Sequence, residues 1–194
     1  MKKSIITISL FASLLFFLNG CESKNEKEAV SKNTPVASSS AKTSPKAEER
    51  AVTLTDINGR ELVLKQVNNG FKIEGSDKIL MVDFFATWCP PCKAEIPHLV
   101  NLQNKYKDKI KIIGILMEEN KDMEELKSFI KYFNINYDIF VGRGNYELAS
   151  LLGGVSSIPL LIMYDKDGNY ITHYMGAVPE EMIEKDIQRA IENK

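Results

Sequence analysis

Hydrophobic and polar positions divide the chain into three stretches. Residues 5–18 form an apolar run behind Lys2 and Lys3. Residues 22–50 are Ser, Lys, Glu, Ala, Thr and Pro with almost no large apolar side chain. From Ala51 onward the chain reads as folded protein. Val52 and Leu54, then Leu62 and Leu64, alternate with polar residues around Asp56-Ile57-Asn58-Gly59, which predicts a hairpin turning at Asn-Gly. Asn68-Asn69-Gly70 marks a second turn, with a short strand at Phe71–Ile73. Ile79–Phe85 is almost wholly apolar, broken by Asp83, and reads as a buried central strand.

Beyond that strand the period lengthens. Pro90 and Pro91 suit the first turn of a helix, where a missing N–H does no harm. That helix carries Ile96, Leu99, Val100 and Leu102, with a kink expected at Pro97. Lys111–Met117 is expected as a second buried strand. Asp122–Phe133 is expected as an amphipathic helix with Met123, Leu126, Phe129 and Ile130 inward. A strand at Tyr137–Val141 and a helix from Tyr146 to Leu152, ended by Gly153-Gly154, follow. Leu160–Tyr164 and Tyr170–Tyr174 form a hairpin around Asp165-Lys166-Asp167-Gly168. Glu180–Ile191 closes the chain as a helix, with Met182, Ile183, Ile187 and Ala190 inward. Strands alternating with helices and then a hairpin imply an α/β fold, a mixed central sheet with helices on both faces and an N-terminal β-hairpin extension.

The first fifty residues read as address and tether. Two lysines, a short apolar core and Leu18-Asn19-Gly20-Cys21 describe an export signal over 1–20, too short for a comfortable membrane span. Residues 21–50 cannot bury enough surface to offset their ordering entropy. The tether proper, residues 22–50, is a flexible chain of about 29 residues that reaches roughly 30 Å. The folded domain is expected over 51–194.

Composition excludes more than it selects. A formal net charge of −1 offers no basic field for nucleic acid, and no such partner is expected. There are three cysteines, Cys21, Cys89 and Cys92. The last two form C-x-x-C. A structural zinc site needs a second Cys or His pair, and only His98 and His173 remain; no metal or cofactor is expected. Haem attachment needs His directly after the pair, where Lys93 stands. So short a loop gains little stability from cross-linking. Met117, Met163 and Met175 occupy expected core positions in strands, and His173 an exposed one.

Redox chemistry explains the pair, because it lies where a buried strand gives way to a helix. Cys89 would cap that helix, where partial positive charge favours a thiolate. Cys92, one turn in, closes the disulfide while staying shielded. Cys89 would attack a substrate disulfide, and Cys92 would resolve the mixed disulfide.

Val82-Asp83-Phe84-Phe85-Ala86-Thr87-Trp88-Cys89-Pro90-Pro91-Cys92-Lys93 resembles the signature of thioredoxins. The fuller pattern is similar to the TlpA/ResA-type membrane-tethered thioredoxins. It adds Thr55-Asp56-Ile57-Asn58-Gly59-Arg60, Cys92-Lys93-Ala94-Glu95-Ile96-Pro97 and Gly154-Val155-Ser156-Ser157-Ile158-Pro159. The resemblance spans about residues 51–194. It implies a thioredoxin-like fold and thiol–disulfide exchange outside the cytoplasm, often reductive and often serving cytochrome c assembly. Leu18–Cys21 resembles a bacterial lipobox, which implies cleavage before Cys21, a lipid on its sulfur and attachment to the cell envelope. By position, the resemblance implies that Asp83 assists proton transfer at the second cysteine. It sets Glu95 near the active site and makes Pro159 a cis-proline presenting the Ile158 backbone to substrate. Trp88 is expected to lie beside the disulfide. Carrying both Asp83 and Glu95 is a mixed pattern within this resemblance, and Glu95 could equally sit solvated on the helix face.

Pro90 and Pro91 remove two N–H donors that could otherwise stabilise the Cys89 thiolate, which favours a reductant. The expected partners are exported disulfide-containing proteins, apocytochrome c among them, and a membrane electron donor of the thiol-relay type. A disulfide oxidant or isomerase is the alternative within this chemistry. A non-catalytic binding lipoprotein is the alternative outside it.

Overall fold

The computed structural model describes residues 50–192. The export signal, the Cys21 lipidation site and the tether therefore lie outside the described residues, apart from Arg50. Eight strands form one mixed sheet in the order β3-β2-β1-β6-β5-β4-β7-β8. They are β1 (Ala51–Asp56), β2 (Glu61–Val67), β3 (Gly70–Ile73), β4 (Ile79–Phe85), β5 (Ile110–Leu116), β6 (Asp138–Val141), β7 (Leu160–Tyr164) and β8 (Tyr170–Met175). The helices among the described residues are α1 (Pro90–Lys105), α2 (Met123–Tyr132), α3 (Arg143–Leu151) and α4 (Glu180–Glu192).

The central strand is β4, buried at every position. It runs parallel to β5, which is parallel to β6, and antiparallel to β7. Its alternation feeds two cores. Ile79, Met81 and Phe85 face a cluster that includes Leu99 and Leu102 of α1, Leu126 of α2, and Ile183 and Ile187 of α4. Leu80, Val82 and Phe84 face the opposite cluster, with Leu148 and Ala149 of α3 and with Val52, Leu54 and Leu64 from the hairpin. The α/β fold with helices on both faces is thus present.

The hairpin β1–β2 turns at Asn58-Gly59, and Asp56 braces it. Its Oδ1 accepts from the backbone N–H groups of Asn58 and Arg60, each at 2.8 Å, and its Oδ2 accepts from Arg60 Nε at 2.6 Å. β1 joins the main sheet by pairing antiparallel with β6, Thr55 against Val141 and Asp56 against Phe140.

Three expectations need correction. Helix α3 begins at Arg143 rather than Tyr146. Gly144 in its first turn resembles a breaker, but a Cβ there would lie 2.3 Å from the Thr53 carbonyl oxygen. Glycine lets the helix pass directly over the β1 backbone. Met182 does not face inward and is half exposed. It falls in the helical row of Asp186 and Arg189, one step off the buried row of Ile183 and Ile187. Met175 is exposed rather than in the core, because β8 is an edge strand and it is Tyr174 that turns to the packed face.

Candidate active site

The redox loop is the link from β4 to α1. Cys89 is the N-cap of α1, with Pro90 and Pro91 in its first two positions. Cys89 and Cys92 form a disulfide with Cα atoms 5.3 Å apart. The capping atom is sulfur: Cys89 Sγ accepts from the Cys92 backbone N–H at 3.2 Å. Pro90 and Pro91 have no N–H to offer, so the helix start supplies this sulfur with that donor and little else. Both cysteines are almost fully covered. Trp88, by contrast, is 65% exposed, standing into solvent next to the pair.

Opposite the pair, the Ile158–Pro159 peptide is cis. The Ile158 carbonyl oxygen lies 3.9 Å from Cys89 Sγ. Pro159 is buried, and its carbonyl accepts from the Gly176 N–H at 2.9 Å, which joins this segment to the end of β8. The structure thus brings Trp88, Cys89, Cys92, Ile158 and Pro159 to one end of the sheet.

Beneath the disulfide lie two carboxylic acids. Asp83 is 2% exposed and its Oδ1 has no hydrogen-bond partner. Burial, with the nearby Glu95 charge adding to it, pushes Asp83 well above the ordinary carboxylate range. Glu95 is 1% exposed, and neither of its oxygens has a well-formed partner. Burial raises Glu95 to about 7, and the Val178 backbone N–H opposes the shift only in part. Glu95 is therefore not solvated on the helix face. α1 turns that position towards the sheet, in the same turn as Ile96 and Leu99.

Two polar residues that sequence reasoning missed support the loop. The Glu118 carboxylate accepts from the Thr87 N–H, two residues before Cys89, and Glu118 also pairs with Lys121 at 3.7 Å. Asn145 is fully buried, and its Nδ2 donates to the carbonyls of Leu116 and Phe140 at 2.9 and 2.8 Å, tying the ends of β5 and β6. An Asn just after Gly142-Arg143-Gly144 looks like turn material in sequence, and Glu118 follows a strand with nothing to mark its contact with Thr87. His98 Nδ1 lies 3.3 Å from the Val178 carbonyl oxygen, a bond that holds the β8–α4 loop.

A family model described as thioredoxin-like matches residues 76–170, from just before β4 to the start of β8. The fold is thioredoxin-like, and the chain is similar to that family over these residues. Among curated proteins, the thiol-disulfide oxidoreductase ResA of Bacillus cereus is 28% identical over 187 residues, 95% of this chain and 92% of that one. The thioredoxin of Bacillus subtilis is 28% identical over 127 residues, 66% of this chain and 96% of that one. Among solved structures, StoA from Bacillus subtilis matches with a TM-score of 0.55 at 19% identity, covering 72% of this chain and 98% of that one. A thioredoxin-family thiol:disulfide interchange protein from Chlorobium tepidum matches with a TM-score of 0.55 at 22% identity, covering 75% and 99%. The two structural matches bear on the fold. With the Cys89–Cys92 pair in place, this thioredoxin-like chain is a thiol–disulfide oxidoreductase.

Proposed function

We propose that this thioredoxin-like protein is a reductase of disulfides in exported proteins, working outside the cytoplasm and held at the envelope by a lipid on Cys21. Cys89 is the attacking thiolate. It forms a bond to one substrate sulfur and releases the other as a thiolate. Cys92 then gives up its proton, attacks Cys89 Sγ and displaces the reduced substrate, leaving the Cys89–Cys92 disulfide. Two electrons pass from the dithiol to the substrate. A membrane dithiol donor returns the pair to its reduced form. Asp83 and Glu95 take the Cys92 proton. Trp88, Ile158 and Pro159 form the surface that receives the substrate chain, and apocytochrome c is the substrate class that the ResA resemblance favours.

The observation that carries the direction is the poor capping of Cys89. A thiolate there has the Cys92 N–H and two prolines for neighbours. A less stabilised thiolate makes a less stable reduced form and a stronger reductant. The expected reduction potential is near that of thioredoxin, about −270 mV, and a value near about −120 mV would reverse the reading in favour of an oxidant. Partners follow from trapping with Cys92→Ala in cells. Mixed disulfides on Cys89 should join exported proteins and one membrane protein, recovered with membranes and lost from them in Cys21→Ser. Trapped cytoplasmic proteins alone would contradict the proposed location.

A further inference from the structure

The floor beneath the cysteine pair holds a third titratable group. Gly114 on β5 pairs directly with Asp83 on β4 and with Ile139 on β6. A Cβ at Gly114 would lie 2.5 Å from Ile139 Cδ1, 3.2 Å from Phe85 Cε1 and 3.3 Å from Tyr137 Cε2. Neighbouring side chains therefore fill the space that glycine leaves, directly beside Asp83. The Tyr137 atom that reaches this space adjoins the carbon bearing the hydroxyl. Tyr137 is 7% exposed and shares its apolar cluster with Cys89, Cys92 and Phe85.

The surroundings leave few other polar groups for this phenol. Leu161 of β7 pairs with Asp83 on the far side, α2 brings Leu126 and Phe129 to the cluster, and α4 brings Ile183 and Ile187. The titratable groups that face this floor among the described residues are Asp83, Glu95, Tyr137 and the two cysteines. Burial, followed by the charges of Asp83 and then Glu95, raises the Tyr137 phenol well above its ordinary value, so it remains a donor at any working pH. Asp83 Oδ1 has no donor in the oxidised protein, and Glu95 has near it the Val178 N–H, without a well-formed bond to either oxygen. An ionised carboxylate in so dry a place gains strongly from one.

We propose that Tyr137 is a positioning residue for the resolving step: its hydroxyl donates to the Asp83–Glu95 pair when that pair is anionic, and so sets the pH at which the pair can accept the Cys92 proton. This rests on the reading of Asp83 and Glu95 as the base. In the step itself the proton passes from Cys92 Sγ to a carboxylate oxygen. The Cys89–Cys92 bond forms, the bond from Cys89 to the substrate breaks, and the substrate sulfur leaves with the electron pair. Tyr137 exchanges no proton in the balance; it holds the anion that accepts one.

The test is single-turnover release of a trapped mixed disulfide, followed by stopped flow across pH. Tyr137→Phe keeps the ring and removes the donor. Its rate profile should move to higher pH by about half a unit or more, about threefold slower release below the midpoint and none above it. Site-specific 3-fluorotyrosine at position 137, a stronger donor of nearly the same size, should move the midpoint the other way. With Asp83→Asn and Glu95→Gln already in place, Tyr137→Phe should add nothing. A Tyr137→Phe profile that overlays wild type overturns the proposal. So does equal slowing at every pH, or an effect that survives without the carboxylates, since either marks a packing role. If the variant lacking both carboxylates itself matches wild type, the base reading fails, and the Tyr137 proposal fails with it.

Discussion

Two aspartates, one at the hairpin turn and one in the redox floor, are hidden from solvent to nearly the same extent and end in opposite states. Asp56 is 4% exposed and Asp83 is 2% exposed. For both, burial is the largest influence and pushes the carboxyl up. At Asp56, however, the Arg60 and Asn58 backbone N–H groups and the Arg60 guanidinium outweigh it and hold the carboxyl below its ordinary value. At Asp83 no donor intervenes, and Glu95 adds a charge of the same sign. Depth differs as well. Asp56 is covered at the rim by Arg60, a side chain itself 66% exposed, whereas Asp83 lies under the helix layer between Met81 and Phe85. Burial by itself does not decide what a carboxyl group does. The donors around it do: Asp56 is spent on structure, and Asp83 is left with an unfilled hydrogen-bonding capacity that proton chemistry can use.

The contrast can be broken from either end. The largest effect should come from removing the unpartnered acids together. Asp83→Asn with Glu95→Gln should slow resolution of the mixed disulfide about 100-fold near neutral pH, while either change alone does less because the other acid substitutes. The defect should shrink at high pH, where Cys92 loses its proton unaided. Stopped-flow turnover of a disulfide substrate reads this, and a profile equal to wild type would move the proton-accepting role to water.

The next effect is on stability. Asp56→Ala removes the acceptor of two backbone N–H groups and of Arg60, and should cost about 2 kcal/mol in urea unfolding. The Asp56 contribution is present above its ordinary value near 3.8 and is lost as pH falls through its lower folded value. A variant as stable as wild type would show that the turn holds without its brace.

The smallest effect has the opposite sign. The folded state keeps the Asp83 proton after the unfolded chain has lost it, so the stability Asp83 lends is full below about 3.8 and is lost as pH climbs through the raised folded value. Asp83→Asn should therefore stabilise the protein at about pH 8, by about 1 kcal/mol or more, and change little near pH 4. Equal stability of the two proteins at both ends of that range would mean that Asp83 is better solvated than its position suggests.

Much of this was legible along the chain. Ile79–Phe85 is the central strand at its expected bounds, β5 is shifted by one residue at each end and β6 starts one residue later than expected, because an apolar run with a turn on each side leaves little choice. The cysteine pair and its place at the start of α1 were also readable, since Cys, Pro and their spacing carry their chemistry with them, whereas Pro159 opposite came from the resemblance to thioredoxins. What could not be read is what distant segments do to one another. The pairing of β1 with β6 joins residues far apart in the chain, and the inward turn of Glu95 depends on where α1 packs. Gly144 reads as a breaker until the strand beneath it is known. Met175 and Met182 show the limit of hydrophobicity as a guide, for an apolar side chain at an edge or one step off the buried row stays in water.

The buried Asn145 amide has a mechanical consequence. Helices α2 and α3 leave the neighbouring strands β5 and β6 towards opposite faces of the sheet, a parting that would let the two strand ends splay. One side-chain amide grips both ends by their carbonyls, and Leu116, gripped on one side, is paired with Phe85 on the other. The tops of β4, β5 and β6 are therefore tied into one ledge. A pull on the redox loop would spread sideways into three strands rather than peel back the end of one.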